Sequence, residues 1–361
     1  MRAFDVLRDW RRCVGADLLP GLHGHQAKAL ADFSFAAAAA GHCHARRLAA
    51  HVPTAAAPAS HVRRFERLLA NRRLDPTAAQ RAVAGHVMAG WAGRTALLML
   101  DETAGAGGLR VMWVRVGCGK RALPVACRRY RLRKSPRPLP ALVRGLLAQA
   151  AAGRPAGCRP VLPADRGLAW PTLVDWCRAH GWAFVLRLQG QTKVRTADGA
   201  VRAARDLAPR RGRSWFGHAD VFRKAGWRAA GVAAVWARGM KEPWLPVADG
   251  PGSLRHVRAY AKRMWVEESF RDDKSSGFQW QASRVTRPAH AARLLVVLAL
   301  AMILAVSLGA RLLRAGGRRR FDPHRRRRLS VFQLGLTLFR FALAHGDDTA
   351  LRLDRLFIHP P

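Results

Sequence analysis

From residue 95 onward, short apolar runs alternate with stretches of helical period. TALLML (95–100), VMWVRV (111–116) and ALPVACRRY (122–130) read as strands, with a glycine-rich turn (Gly105, Gly107, Gly108) after the first. A proline-rich opening (Pro136, Pro138, Pro140) leads into a helix through Leu147. RPVLPA (159–164) is another apolar run, followed by a helix over about 169–180 and a strand WAFVLRL (182–188). The order three strands, helix, strand, helix, strand predicts an α/β domain with buried strands. Two of its runs end on a carboxylate, Asp101 and Asp165. An acid directly after a buried strand sits at the sheet rim, where ligands bind. A carboxylate buried there without a partner would be costly, so the pair implies a cation or a hydrogen-bond network.

The flanking regions differ in texture. Residues 1–90 are alanine-rich and helical in pattern, with Pro53, Pro58 and Pro76 as breaks, and FERLLANRRLDPTAAQRAVAGHVM (65–88) predicts two helices around an Asp-Pro turn. Basic residues are dense there, which suits a small DNA-binding region as well as a solvated cap. Residues 189–253 alternate Arg, Gly, Trp and Val in short runs and predict a β-rich insertion. Leu294–Ala310 is uncharged over 17 residues. As a helix it would span about 26 Å, short of a bilayer core of roughly 30 Å, and it is expected to be a core helix. After a basic loop (316–328), LSVFQLGLTLFRFALAH (329–345) predicts an amphipathic helix.

The stretch 254–280 reads as one helix with a polar rhythm, Tyr260, Arg263, Glu267 and Lys274. At about 100° per residue these fall within a band of roughly 60°. Val257 and Met264 edge it on one side, Val266 and Phe270 on the other, as on a partly buried face turned to a cleft. The alternative is a solvated face of ion pairs. Glu268 competes with Glu267, and Glu102 with Asp101; Glu268 lies about 100° around the helix, which favours Glu267.

Charge then narrows the function. The chain carries 63 Lys plus Arg against 23 Asp plus Glu, a formal net charge of +40, which calls for a polyanionic partner, nucleic acid above all. With acids this scarce, Asp101, Asp165 and Glu267 stand out. Meeting through the fold, they would suit two hard divalent cations, Mg²⁺ or Mn²⁺, able to drive phosphodiester chemistry. Six scattered cysteines without a C-x-x-C pair argue against a zinc ribbon or a disulfide framework, and no signal peptide opens the chain, so a cytoplasmic, nucleoid-associated protein is expected. His42-Cys43-His44 with His51 matches no common zinc spacing.

LMLDETAGAGG (98–108), VLPADRGLAW (161–170) and YAKRMWVEESFRDDKSSGFQ (260–279) resemble the three signature regions of the IS4-type DDE transposases, and Tyr260, Arg263, Glu267 and Lys274 match that family's Tyr-x2-Arg-x3-Glu-x6-Lys signature. The resemblance covers about residues 90–310. It implies a ribonuclease-H-like catalytic core with a β-rich insertion and an N-terminal helical region, divided as 1–90 (helical), 91–188 (core, first part), 189–253 (insertion), 254–315 (core, second part) and 316–361 (basic loop and C-terminal helix). It also implies Asp101, Asp165 and Glu267 as a metal-binding triad for two Mg²⁺ or Mn²⁺ ions. Tyr260, Arg263 and Lys274 would contact the DNA-end phosphates, and Trp244 would stack on a flipped base. The implied activity is cutting double-stranded DNA at terminal inverted repeats and joining 3′-hydroxyl ends to target DNA, as a homodimer in a synaptic complex. The competing readings are a metal-dependent nuclease of the same fold and a decayed DNA-binding relic.

Overall fold

The structure, a computed structural model, describes residues 3–131 and 138–346. Pro136, in the proline-rich opening, lies outside the described residues, as does the tail 347–361. Five helices come first: α1 (Ala3–Cys13), α2 (Gly24–Ala40), α3 (Ala45–Ala49), α4 (Pro58–Ala70) and α5 (Pro76–Ala89). Pro58 and Pro76 start helices rather than merely separating them, because a first-turn proline gives up an N–H that has no intrahelical partner. At the Asp-Pro turn the Asp75 carboxylate accepts the Thr77 N–H at 2.8 Å and caps α5.

Three antiparallel strands follow, β1 (Thr95–Ala104), β2 (Arg110–Cys118) and β3 (Arg121–Tyr130). Then come α6 (Leu139–Ala152), β4 (Arg159–Ala164), α7 (Pro171–Ala179) and β5 (Ala183–Arg187). β4 pairs parallel with both β1 and β5. The region 189–253 supplies β6 (Lys193–Thr196), β7 (Val201–Ala203), β8 (Ser214–Val221), β9 (Arg228–Val235) and β10 (Pro246–Ala248). These strands extend the same sheet, whose order is β3-β2-β1-β4-β5-β10-β9-β8-β6-β7.

Two expectations need correction here. β1 continues to Ala104, so Asp101 lies inside the strand and not past its end. The parallel pairing of β1 with β4 does stop at Leu100↔Ala164. Asp101 and Asp165 are therefore the next residue on each of two adjacent strands. The second correction concerns 254–280, which is two helices, α8 (Leu254–Ala261) and α9 (Met264–Asp273). Between them the backbone tightens to i→i−3 bonds: Lys262 N–H to Ala259 at 3.2 Å, Arg263 N–H to Tyr260 at 2.9 Å, Trp265 N–H to Lys262 at 3.0 Å. No proline or glycine marks the break. α8 packs on β4, β5, β9 and β10, whereas α9 packs on β1, β2 and β3. The tight turn lets one chain segment follow both halves of a twisted sheet. Met264, expected at the apolar edge, opens α9 at 42% exposure; Val257, Val266 and Phe270 are buried. The entry to α8 is set by a close crossing, where a side chain on Gly231 would collide with the Gly250 carbonyl and one on Gly252 with the Val232 carbonyl.

α10 (Pro288–Arg314) and α11 (Val331–His345) complete the fold. α10 has 27 residues, about 40 Å at 1.5 Å per residue, so the expectation of a helix too short for a bilayer does not hold. Its apolar stretch is wholly buried all the same, against α2, α4, α5, α11 and β3.

Candidate active site

The acids converge through backbone geometry. Asp101, inside β1, and Asp165, directly after β4, follow the last paired residues of these adjacent parallel strands, and the turn between α8 and α9 lies across them. Tyr260, near the end of α8, donates its hydroxyl to Asp165 Oδ1 at 2.9 Å. Arg263, in the turn, donates from Nη1 to Asp101 Oδ2 at 2.6 Å and from Nη2 to Glu267 Oε1 in the first turn of α9. The structure thus brings Asp101, Asp165, Tyr260, Arg263 and Glu267 into one contiguous set, with Asp101 and Glu267 inside the span of a single guanidinium.

Trp244 sits at the edge of this set. It is half-buried, its ring edge-to-face on Tyr260 with centroids 5.3 Å apart, in a small apolar cluster with Val185 and Ala248. Lys274 is not brought in. It caps the C-terminus of α9, and the charges acting on it are Asp273 and Arg110. The phase argument that put it on the band with Glu267 assumed a helix continuing through it, and α9 stops one residue before. The rival acids are engaged elsewhere. Glu102 accepts Arg110 at 2.8 Å and the Tyr130 hydroxyl, and Glu268 pairs with Arg271 at 2.9 Å.

Burial and charge pull the two strand-end acids apart. Burial pushes the Asp101 carboxyl up, to about 6, with Glu267 and Asp165 adding to the push and Arg263 and the Glu102 N–H offsetting it only in part. Burial also raises Asp165, but the Arg166 N–H, the Arg263 guanidinium and the Tyr260 hydroxyl outweigh it and hold this carboxyl below its ordinary value. Burial and the neighbouring Asp165 push the Tyr260 phenol up to about 12.

Among the described residues, no group of three or more His, Cys, Asp or Glu side chains is drawn together as a metal site. The Arg263 guanidinium stands between Asp101 and Glu267 as a cation of the chain's own. The donor set still fits a hard divalent ion in its chemistry, since it is all carboxylate oxygen and already gathers around positive charge. The His42-Cys43-His44 cluster offers no such site. His42 Nδ1 accepts the His44 N–H at 2.9 Å, His51 Nδ1 meets the Arg47 carbonyl at 3.0 Å, and Cys43 is buried.

Sequence reasoning passed over a basic rim beside Asp165. Arg166 and Arg187 share the Glu242 carboxylate at 3.1 and 2.7 Å, and with Arg205 and Trp236 they line a cavity of about 400 Å³, large enough for a small ligand. The available signal was Arg187 closing the strand next to β4.

Residues 136–304, somewhat under half of the chain, match the family model described as a transposase DDE domain. No curated protein matches. The matched span holds Asp165, Trp244, Tyr260, Arg263, Glu267 and Lys274 and begins after Asp101. The match, on a mixed α/β fold, supports a transposase of the DDE type, a class that acts on DNA and generally uses divalent metals.

Proposed function

We propose that the chain is the DNA transposase of an insertion sequence of the IS4 type, cutting at the element's terminal inverted repeats and joining the freed 3′-hydroxyl ends to target DNA as a homodimer. One observation carries this reading. Acids separated by 64 and 102 residues (165−101 and 267−165) meet around Arg263 and Tyr260, where β1 and β4 run side by side in a strongly basic chain. The strand order β3-β2-β1-β4-β5, antiparallel in the first three and parallel in the last three, supports a ribonuclease-H-like core, and β6–β10 supply its insertion.

In this reading Asp101, Asp165 and Glu267 hold two Mg²⁺ or Mn²⁺ ions. When bound, the ions activate a water or a 3′-hydroxyl and stabilise the leaving oxygen. The chain's own residues do the positioning. Tyr260, by its hydroxyl on Asp165, fixes that carboxylate's orientation, and Asp101, whose side chain is 16% exposed, has little room to swing into solvent. Arg263 and Lys274 hold phosphates of the DNA end, joined by Tyr260 once its hydroxyl leaves Asp165, and for Lys274 this requires the DNA to extend along α9 toward Arg110. Trp244, presenting one ring edge beside Tyr260, stacks on an extruded base. In-line displacement at phosphorus needs no protein nucleophile, so positioning carries the catalysis.

The test is nicking of a duplex carrying the sequences that flank the gene, with Mg²⁺. Asp101→Asn and Asp165→Asn should each lower nicking by roughly a thousandfold or more, the double variant should be no worse than either, and duplex binding should persist. Multiplying losses, or nicking that survives both changes, would overturn the reading.

A further inference from the structure

Arg263 is 8% exposed and both its terminal nitrogens are committed, one to Asp101 at 2.6 Å and one to Glu267. Its Nε is buried without a partner. In this arrangement the N–H groups left over are buried with the rest of the guanidinium, out of reach of a phosphate arriving from solvent. Yet the proposed function, on which this inference rests, asks the same guanidinium to hold one. The two roles belong to two states of the side chain.

We propose that Arg263 is a positioning residue that occupies the seat of a divalent cation, holding Asp101 and Glu267 together until a metal ion displaces it and frees it for DNA phosphate. Bare carboxylates inside the span of one guanidinium would repel each other, and a bidentate arginine removes that repulsion while fixing both orientations. A divalent ion between the same oxygens replaces one positive charge by two. The displaced guanidinium then leaves a buried pocket unpaired unless it finds another anion, and the tight turn at Lys262–Arg263 places it at the rim where DNA would pass. Metal and DNA therefore favour each other's binding, and the coupling must be equal in both directions.

The experiment is Mn²⁺ titration of the full chain, without DNA, followed by the electron paramagnetic resonance signal of free Mn²⁺. A seat filled by the guanidinium nine-tenths of the time weakens metal binding about tenfold, so Arg263→Gln should bind Mn²⁺ about tenfold more tightly than wild type. Arg187→Gln removes the same charge near Asp165 without opening the seat and should shift affinity by less than about threefold. Arg263→Lys, which keeps the charge but cannot bridge both acids, should fall between wild type and Arg263→Gln; it also serves if Arg263→Gln does not fold. Unchanged or weaker Mn²⁺ binding in the Arg263 variants, an equal shift in Arg187→Gln, or no Mn²⁺ binding by any variant would overturn the proposal. The titration contains no DNA and no cleavage, so a protein that shows the shift but never nicks DNA loses the transposase reading and keeps this one.

Discussion

The two ends of α9 carry the same chemistry in opposite surroundings. At the N-terminal end Arg263 bridges Asp101 and Glu267, and Glu267 keeps 40% of its side chain exposed. At the C-terminal end Asp273 pairs with Arg115, which is 1% exposed and lies over the Trp113 and Phe270 rings at 4.3 and 5.0 Å. Asp272 pairs there with Arg121 at 2.5 Å, and Ser269 accepts the Ala122 N–H at 2.7 Å. A buried pair cannot trade its partner for water or a ligand without leaving a charge stranded, whereas a pair open on one side can. α9 is thus anchored at one end and open to solvent at the other, as the proposed function asks of a helix that presents Glu267 at a fixed place.

The largest effect that could break this contrast is on stability. Arg115→Met or Asp273→Leu alone should cost about 3–5 kcal/mol in denaturant unfolding, and the two together should recover most of it, because the pair rather than either charge is what the core tolerates. Singles that cost little would mean that the buried end is not an anchor.

A smaller effect should appear in the pH dependence. Burial pushes Asp272 up to about 7, with Asp273 and Glu268 adding to it against Arg121, and burial raises Asp273 likewise against Arg115. The folded chain therefore holds these protons more tightly than the unfolded chain, whose carboxyls sit near 3.8. The contribution of Asp272 to stability is full below about 4 and is lost as pH rises through about 7. Asp272→Asn should flatten the fall in melting temperature between those limits. The smallest effect belongs to the open end: Glu267→Gln should change stability by less than about 1 kcal/mol, as exposed pairs do.

Much of the core was legible from the chain alone. β4 matches the predicted 159–164 run, because a buried parallel strand must be continuously apolar and its neighbours punctuate it. Asp165 at its end was equally plain. The break at Lys262–Arg263 was not, since the kink comes from packing on two halves of a twisted sheet and leaves no proline or glycine behind. That Lys274 lies past the end of α9, off the face that carries Glu267, was hidden for the same reason. Arg115 was visible as a charge inside VMWVRV, but its partner Asp273 lies 158 residues away and no periodicity links them. The engagement of Arg263 with both acids followed from where that turn falls, and so was hidden with it.

In the proposed function Glu267, and not its neighbour Glu268, completes the acid set with Asp101 and Asp165. The most direct measurement is the Mg²⁺-dependent nicking rate of end-containing duplex by Glu267→Gln and Glu268→Gln, prepared side by side with duplex affinity measured for each. Nicking abolished in Glu267→Gln and close to wild type in Glu268→Gln is the expected result. Abolished nicking in Glu268→Gln with full activity in Glu267→Gln would contradict it.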